Sequence, residues 1–226
     1  METLSNSVLT VQIAEHGAEL QSIKKDGKEY LWQGDAKFWG RRSPVLFPIV
    51  GRVWNNKYRH AGNTYEIGQH GFARDMNFNL TYKEDKGAVY WLESTPDTLG
   101  KFPFPFRLLV GYLLEENKIT VKWRVENLGA MDMYFQIGAH PAFDFPKFNT
   151  ITVYLYLKIT PSAKFNITLT GENSLISCAV KSSEFFMNKE VFICLVRIAH
   201  ILIGNTYAAY TNLTFNTYRT YSIVIA

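Results

Sequence analysis

Apolar and polar residues alternate along much of this chain, in short runs separated by residues that favour turns, and this pattern predicts antiparallel strands. Residues 8–14 and 19–24 alternate on either side of Gly17 and read as an opening hairpin. A turn at Lys25, Asp26, Gly27 and Lys28 leads into a strand at 29–32, and a second turn follows at Gly34 and Asp35. Residues 58–67 read as a hairpin turning at Ala61, Gly62 and Asn63, and 78–82 and 88–93 as two strands joined by a charged connection. The clearest hairpin pairs 107–114 with 118–126 through Glu115, Glu116 and Asn117. Residues 131–137 form a further predicted strand that delivers Gly138, Ala139, His140 and Pro141 at its end, with others at 151–159, 192–198 and 221–226.

Proline and glycine mark the interruptions. Pro96, Gly100, Pro103 and Pro105 make 95–105 an irregular loop. Pro44 and Pro48 flank Val45, Leu46 and Phe47, which suits a site loop better than a central strand. No stretch sustains a long amphipathic helical period. The expected fold class is therefore all-β, an antiparallel sandwich, and 226 residues fit one such domain. In the last third, segments 147–157, 161–177 and 198–215 run together with Thr and Asn where turns normally use Gly and Asp.

Composition narrows the function classes. Hydrophobic residues make up 47% and charged residues 19%, a globular balance. The net charge of +4 comes from 24 basic against 20 acidic residues spread along the chain, and the compact basic groups Lys24-Lys25 and Arg41-Arg42 are only pairs. Nucleic-acid binding needs clustered charge, so no nucleic-acid partner is expected. The N-terminus lacks a basic run followed by an apolar segment, and no stretch is long enough for a membrane span, so a cytoplasmic protein without a membrane partner is expected. Asn79, Asn166 and Asn212 begin glycosylation triplets, which carry no weight without a secretory signal. Cys178 and Cys194 have no metal-ligand spacing, and His16, His60, His70, His140 and His200 form neither HxH nor HExxH, so no metal is expected. Thirteen Tyr, sixteen Phe and five Trp favour strands, though aromatics also fill ordinary cores.

The densest chemistry lies between Trp39 and Phe78, where Arg52, His70 and Arg74 stand among glycines and aromatics. Residues 46–52 read LFPIVGR, 68–75 read GQHGFARD and 138–143 read GAHPAF. These three ordered motifs resemble the aldose 1-epimerase, or galactose mutarotase-like, family, and within it the LacX-like bacterial branch. The resemblance is firm over residues 8–143 and loose afterwards. It implies a large twisted antiparallel β-sandwich (the galactose mutarotase-like supersandwich) in a single domain over 1–226, with the last third divergent or incomplete relative to the family. It also implies interconversion of the α and β anomers of a free hexose, which makes the protein an isomerase acting on a small-molecule sugar. That chemistry requires no cofactor, and a monomer is the expected state.

Mutarotation needs a base to take the proton from the anomeric hydroxyl and an acid to protonate the ring oxygen. By the resemblance, His140 is the acid, a role suited to a group whose ordinary pKa is about 6.5. His70 matches the second active-site histidine, which bonds and orients the sugar, and Arg52 the arginine that holds its hydroxyls. Arg74 and Asp75 are expected to pair with each other or with loop carbonyls and to brace His70, with Arg74 also available to substrate. Phe72 and Phe143 are expected beneath or beside the sugar, and Trp39 in the same wall. The family's general base is a glutamate near the C-terminus, commonly followed by proline. This chain contains no Glu-Pro pair and no acidic residue after Glu190, so the expected position falls near 199–213 with Glu184 and Glu190 the nearest acids. The sequence therefore leaves open a hexose-6-phosphate epimerase-like enzyme, with Arg41, Arg42 and Arg74 available for phosphate, and a carbohydrate-binding sandwich that lacks the base.

Overall fold

The computed structural model of the protein describes residues 1–143 together with segments 150–156, 167–172, 175–180 and 217–225. Strands β1 (Glu2–Ser5), β2 (Leu9–Ile13), β3 (Leu20–Lys25) and β4 (Lys28–Glu29) form a four-stranded antiparallel sheet in that order. β5 (Val45–Leu46) is a two-residue strand, and β6 (Lys57–His60) and β7 (Asn63–Glu66) make a separate hairpin. β8 (Asn79–Glu84) and β9 (Gly87–Glu93) precede a one-turn helix α1 (Pro96–Leu99), followed by β10 (Phe106–Glu115), β11 (Lys118–Asn127) and the short β12 (Gly138–Ala139). β13 (Thr150–Tyr156), β14 (Ile167–Glu172), β15 (Leu175–Val180) and β16 (Thr217–Val224) complete the described strands. The larger sheet has eight antiparallel strands in the order β15-β14-β13-β16-β11-β10-β9-β8. The described protein is thus mostly β, built from several antiparallel sheets.

The sequence alternation reports one buried face per sheet. Along β10, Phe106, Leu108, Val110, Tyr112 and Leu114 are buried, and they join Tyr90 and Leu92 of β9 and Ile119, Val121 and Val125 of β11. Leu4, Leu9, Val11, Ile13, Leu20 and Ile23 of the four-stranded sheet belong to the same apolar cluster. Each such aliphatic side chain contributes roughly 1.5–3 kcal/mol by leaving water. Polar links fix how the two sheets meet: Tyr112 Oη donates to Ala18 O at 2.6 Å, Ser5 N–H to Asp85 O at 2.8 Å, and Lys83 pairs with Glu2 at 2.5 Å.

Several expected elements differ. Residues 131–137 bury alternate side chains, Met133, Phe135 and Ile137, as the pattern suggested, yet among the described residues they form no ladder; the strand proper is β12. Alternation records two environments, whereas a strand also needs a regular ladder of backbone bonds. The loop at 95–105 does contain regular structure, because Thr95 and Thr98 cap α1 reciprocally, Thr98 N–H to Thr95 Oγ1 and Thr95 N–H to Thr98 Oγ1. The strand expected at 29–32 shrinks to β4 plus a single bridge from Leu31 to Phe143. β1, β14 and β15 arise where no strand was expected, and the strand expected at 192–198 lies outside the described residues.

Candidate active site

Prolines at 44 and 48 limit β5 to two residues, since proline donates no ladder hydrogen bond. What remains pairs with β12, Leu46 opposite Gly138 and Val45 opposite Ala139. His140 N–H then donates to Pro44 O at 3.1 Å and Ala142 N–H to Arg42 O at 2.8 Å, so the residue leaving β12 is carried alongside the segment entering β5. That segment is itself anchored by Glu19, buried at 7% exposure, whose Oε1 accepts from Arg42 N–H at 2.9 Å and Ser43 N–H at 2.7 Å.

Beyond β5, the cis Phe47–Pro48 peptide lies against the GQHGFARD segment. Phe47 O accepts from Phe72 N–H at 3.0 Å and Ala73 N–H at 3.2 Å, and Phe47 bridges Gly71 in parallel. A Cβ on Gly71 would sit 2.2 Å from Phe47 O, and its φ of +71° also favours glycine. His70, 7% exposed, adopts φ +66°, a left-handed conformation that costs a non-glycine residue roughly 1–3 kcal/mol. A reciprocal pair of bonds holds it: His70 N–H donates to Gly51 O at 2.7 Å, and Gly51 N–H donates to His70 Nδ1 at 2.9 Å. A backbone N–H can only donate, so Nδ1 presents its lone pair and the neutral ring carries its proton on Nε2.

Arg74 rises from the 3-10 turn Ala73–Asp75, donates from Nη2 to Gln69 O at 2.7 Å and approaches Asp75 Oδ2 at 3.6 Å. Asp75 is held more closely by Arg41, at 2.7 Å. Arg52 is exposed and its Nη2 lies 3.3 Å from Gln69 Oε1, while Gln69 Nε2 lies 3.3 Å from His70 Nε2. Gln69 thus stands between the first arginine and the first histidine of the motifs.

His140 stacks at a tilt on Trp39, with ring centroids 4.6 Å apart, and among the described residues its ring makes no side-chain hydrogen bond. Burial, assisted by the positive charge of Arg74, pulls its pKa down to about 4, so the ring is neutral at pH 7. Because the folded pKa lies below the unfolded value of about 6.5, the contribution of neutral His140 is fully present above pH 6.5 and is lost as pH falls toward 4. The loss reaches at most about 3 kcal/mol. Denaturant midpoints measured at pH 7 and pH 4 are expected to fall more for the wild type than for His140→Asn by up to that amount; equal falls would contradict burial of a neutral ring. Arg74→Gln is expected to raise the His140 pKa, yet to leave it below 6.5 because burial is the larger cause. An NMR titration of the His140 ring protons measures this directly.

The three motifs therefore occupy one continuous arrangement, joined by the β5 and β12 pairing and the contacts of Phe47. A family model described as aldose 1-epimerase matches residues 2–182, which contain all three. The chain belongs to the aldose 1-epimerase family. Protein LacX, chromosomal, from Lactococcus lactis subsp. lactis is 37% identical over 150 residues, which cover 63% of this family member and 50% of LacX. The chain thus spans half the length of that curated relative. A galactose mutarotase related enzyme from Lactobacillus acidophilus superposes with a TM-score of 0.65 at 32% identity, covering 79% of this chain and 61% of that one. A galactose mutarotase-like protein from Lactobacillus casei ATCC 334 gives a TM-score of 0.64 at 33% identity, covering 80% and 67% respectively.

Within this arrangement, the residues expected from sequence fall into two linked groups. Arg52, His70 and Arg74 meet around Gln69. Trp39 lies on His140, and Phe143 joins this second group through its bridge to Leu31 and through Trp32, which donates from Nε1 to Trp39 O at 2.8 Å and from its N–H to Ala142 O at 3.0 Å. The charge of Arg74 reaches His140 and connects the groups. Phe72 is placed in the core at 8% exposure, its ring against Phe47 and Phe106, below the loop that carries His70. Arg74 and Asp75 do pair, and Arg74 does hold a loop carbonyl.

Sequence reasoning missed Glu19 and Gln69. Glu19 had one available signal, a charged residue opening an alternating strand; Gln69 had none beyond its place beside His70. Glu184, Glu190 and residues 199–213, where the base was sought, lie outside the described residues. Among the described residues no group of three or more His, Cys, Asp or Glu converges to hold a metal, and no helix is long and apolar enough to cross a membrane.

Proposed function

We propose that the protein is an aldose 1-epimerase of the LacX-like branch, a monomeric cytoplasmic isomerase built on a large antiparallel β-sandwich. It interconverts the α and β anomers of a free hexose by acid and base transfer at the ring oxygen and the anomeric hydroxyl. The observation that carries this reading is the convergence of LFPIVGR, GQHGFARD and GAHPAF through β5, β12 and the carbonyl of Phe47.

In this mechanism His140 delivers the proton to the ring oxygen. With a pKa of about 4 it is a strong acid once protonated, and only about one molecule in a thousand carries that proton at pH 7. A carboxylate acting as base beside it favours the imidazolium and offsets the burial. His70 bonds and orients the sugar, and Arg52 supplies a fork of donors to adjacent hydroxyls. Trp39 and Phe143 flank His140 as the apolar wall.

A free hexose fits the arginines better than a sugar phosphate does. Among the described residues Arg41 is paired with Asp75 and the Arg42 guanidinium donates to Gln21 Oε1, which commits two of the three arginines considered for a phosphate. A polarimetric time course of freshly dissolved α-glucose and α-galactose tests the proposal. Acceleration above the spontaneous rate is the expected result; sugar binding without acceleration would instead indicate a carbohydrate-binding protein lacking the base.

A further inference from the structure

Residues 136–142 run antiparallel to residues 42–48 in a single register. Ala142 N–H donates to Arg42 O, His140 N–H to Pro44 O and Gln136 N–H to Pro48 O at 2.8 Å, with the paired residues of β12 and β5 among them. Facing residues at such positions normally exchange two bonds. Proline carries no N–H, so Pro48 accepts from Gln136 and returns nothing. The Gln136 side chain makes a second bond two residues further on, where Oε1 accepts from Val50 N–H at 2.9 Å. A backbone N–H can only donate, so this bond fixes which way the carboxamide is turned.

Gln136 thus grips the backbone on both sides of Ile49, and the next residue after Val50 is Gly51. Gly51 O accepts from His70 N–H at 2.7 Å, and Gly51 N–H donates to His70 Nδ1 at 2.9 Å. Val50 is also backed by β12, where a Cβ on Gly138 would lie 3.2 Å from Val50 Cγ2. Along this paired segment Gln136 and His140 are four positions apart and fall on one face, while Phe135 and Ile137 are buried on the other. We infer that Gln136 is a positioning residue that ties the segment bearing His140 to the loop bearing His70. Through Val50 and Gly51 it sets the ring orientation and tautomer of His70. For the reaction this geometry serves, the inference rests on the epimerase reading. The bonds themselves belong to the protein without ligand.

Gln136→Met keeps the length of the side chain and removes the acceptor, whereas Gln136→Glu keeps an acceptor for Val50 N–H. In ring ¹⁵N spectra taken at pH 8 without sugar, wild-type His70 is expected to show the Nε2–H tautomer with Nδ1 accepting a bond. In Gln136→Met the Nδ1 signal is expected to move and the Nδ1–H tautomer to appear, with faster hydrogen exchange at the Val50 and Gly51 amides. Gln136→Glu should restore the wild-type signals. A merely structural loss would lower the urea midpoint and leave the tautomer of the folded protein unchanged. Gln136→Asn, one methylene too short to reach Val50, gives the same readings if Gln136→Met does not fold. For mutarotation of glucose or galactose, kcat/KM is expected to fall about tenfold in Gln136→Met, a loss of the kind that misplacing a site group causes, and most of it should return in Gln136→Glu. His70 signals identical in the wild type and the variant without the acceptor, or lost as fully in Gln136→Glu, would overturn the inference. The spectra are read without sugar, so a wild type that leaves hexose anomers at the spontaneous rate overturns the proposed function, and the spectra still decide the positioning role.

Discussion

Replacing His140 with Asn is expected to reduce mutarotase kcat by about 10²–10⁴-fold, the usual worth of a positioned proton donor, while the protein remains folded. The fold should survive because the structural bonds at this position come from the backbone. His140 N–H reaches Pro44 O and the flanking β12 pairs with β5, whereas the ring's described contact is the tilted stack on Trp39. Asn preserves the backbone and polarity, occupies less space and cannot carry a proton to the ring oxygen near neutral pH. The comparison is made from initial polarimetric rates at saturating sugar, with circular dichroism confirming the fold. Unchanged turnover would remove His140 from the acid role.

The second large effect is structural. Gly71→Ala is expected to cost about 4 kcal/mol, at the upper end of single substitutions. The added methyl would lie 2.2 Å from Phe47 O, 2.5 Å from Phe47 C and 2.6 Å from Pro48 N, all backbone atoms that cannot swing aside as a flexible side chain would. Moving the loop to relieve this breaks the bonds from Phe72 and Ala73 to Phe47 O and displaces the Gly51 and His70 pair. Gly27→Ala makes the appropriate control, because Gly27 has a similar φ of +76° with nothing within 4 Å of the added atom. Its cost is expected to be about 1 kcal/mol, from the left-handed backbone alone. Urea unfolding of both variants separates the two contributions, and a Gly71→Ala cost no larger than that of Gly27→Ala would contradict the close packing at Phe47.

The hairpins were legible because local information suffices for them. β10 and β11 alternate over ten residues each, and Glu116, with φ +52°, turns between them where the charged tripeptide marked the surface. β1 was not legible, since Leu4 is its one buried side chain and a single apolar residue makes no pattern. At 131–137 the pattern was present but its cause differed, with inward residues packing on the core while the backbone bonds elsewhere, Gln136 N–H to Pro48 O at 2.8 Å.

The same division holds at the site. His70, Arg74 and His140 could be named from motifs because their neighbours in sequence carry the signal. The left-handed backbone of His70 and its ring tautomer depend on Gly51, nineteen positions away, and the anchoring of Arg42 and Ser43 depends on Glu19. Such hydrogen bonds leave no mark on local composition. Phe72 is a further case: its ring packs on Phe47 and Phe106, contacts that its place inside the motif does not reveal.

Exchange spectroscopy on an equilibrium mixture of α- and β-galactose tests the central claim most directly, because it reports passage between the anomers without a net reaction. With the protein present, cross-peaks between the two anomeric protons are expected to grow faster than in buffer, and this gain should vanish in His140→Asn. Galactose and glucose that bind the protein, yet exchange no faster than in buffer across pH 4–8, would contradict the account.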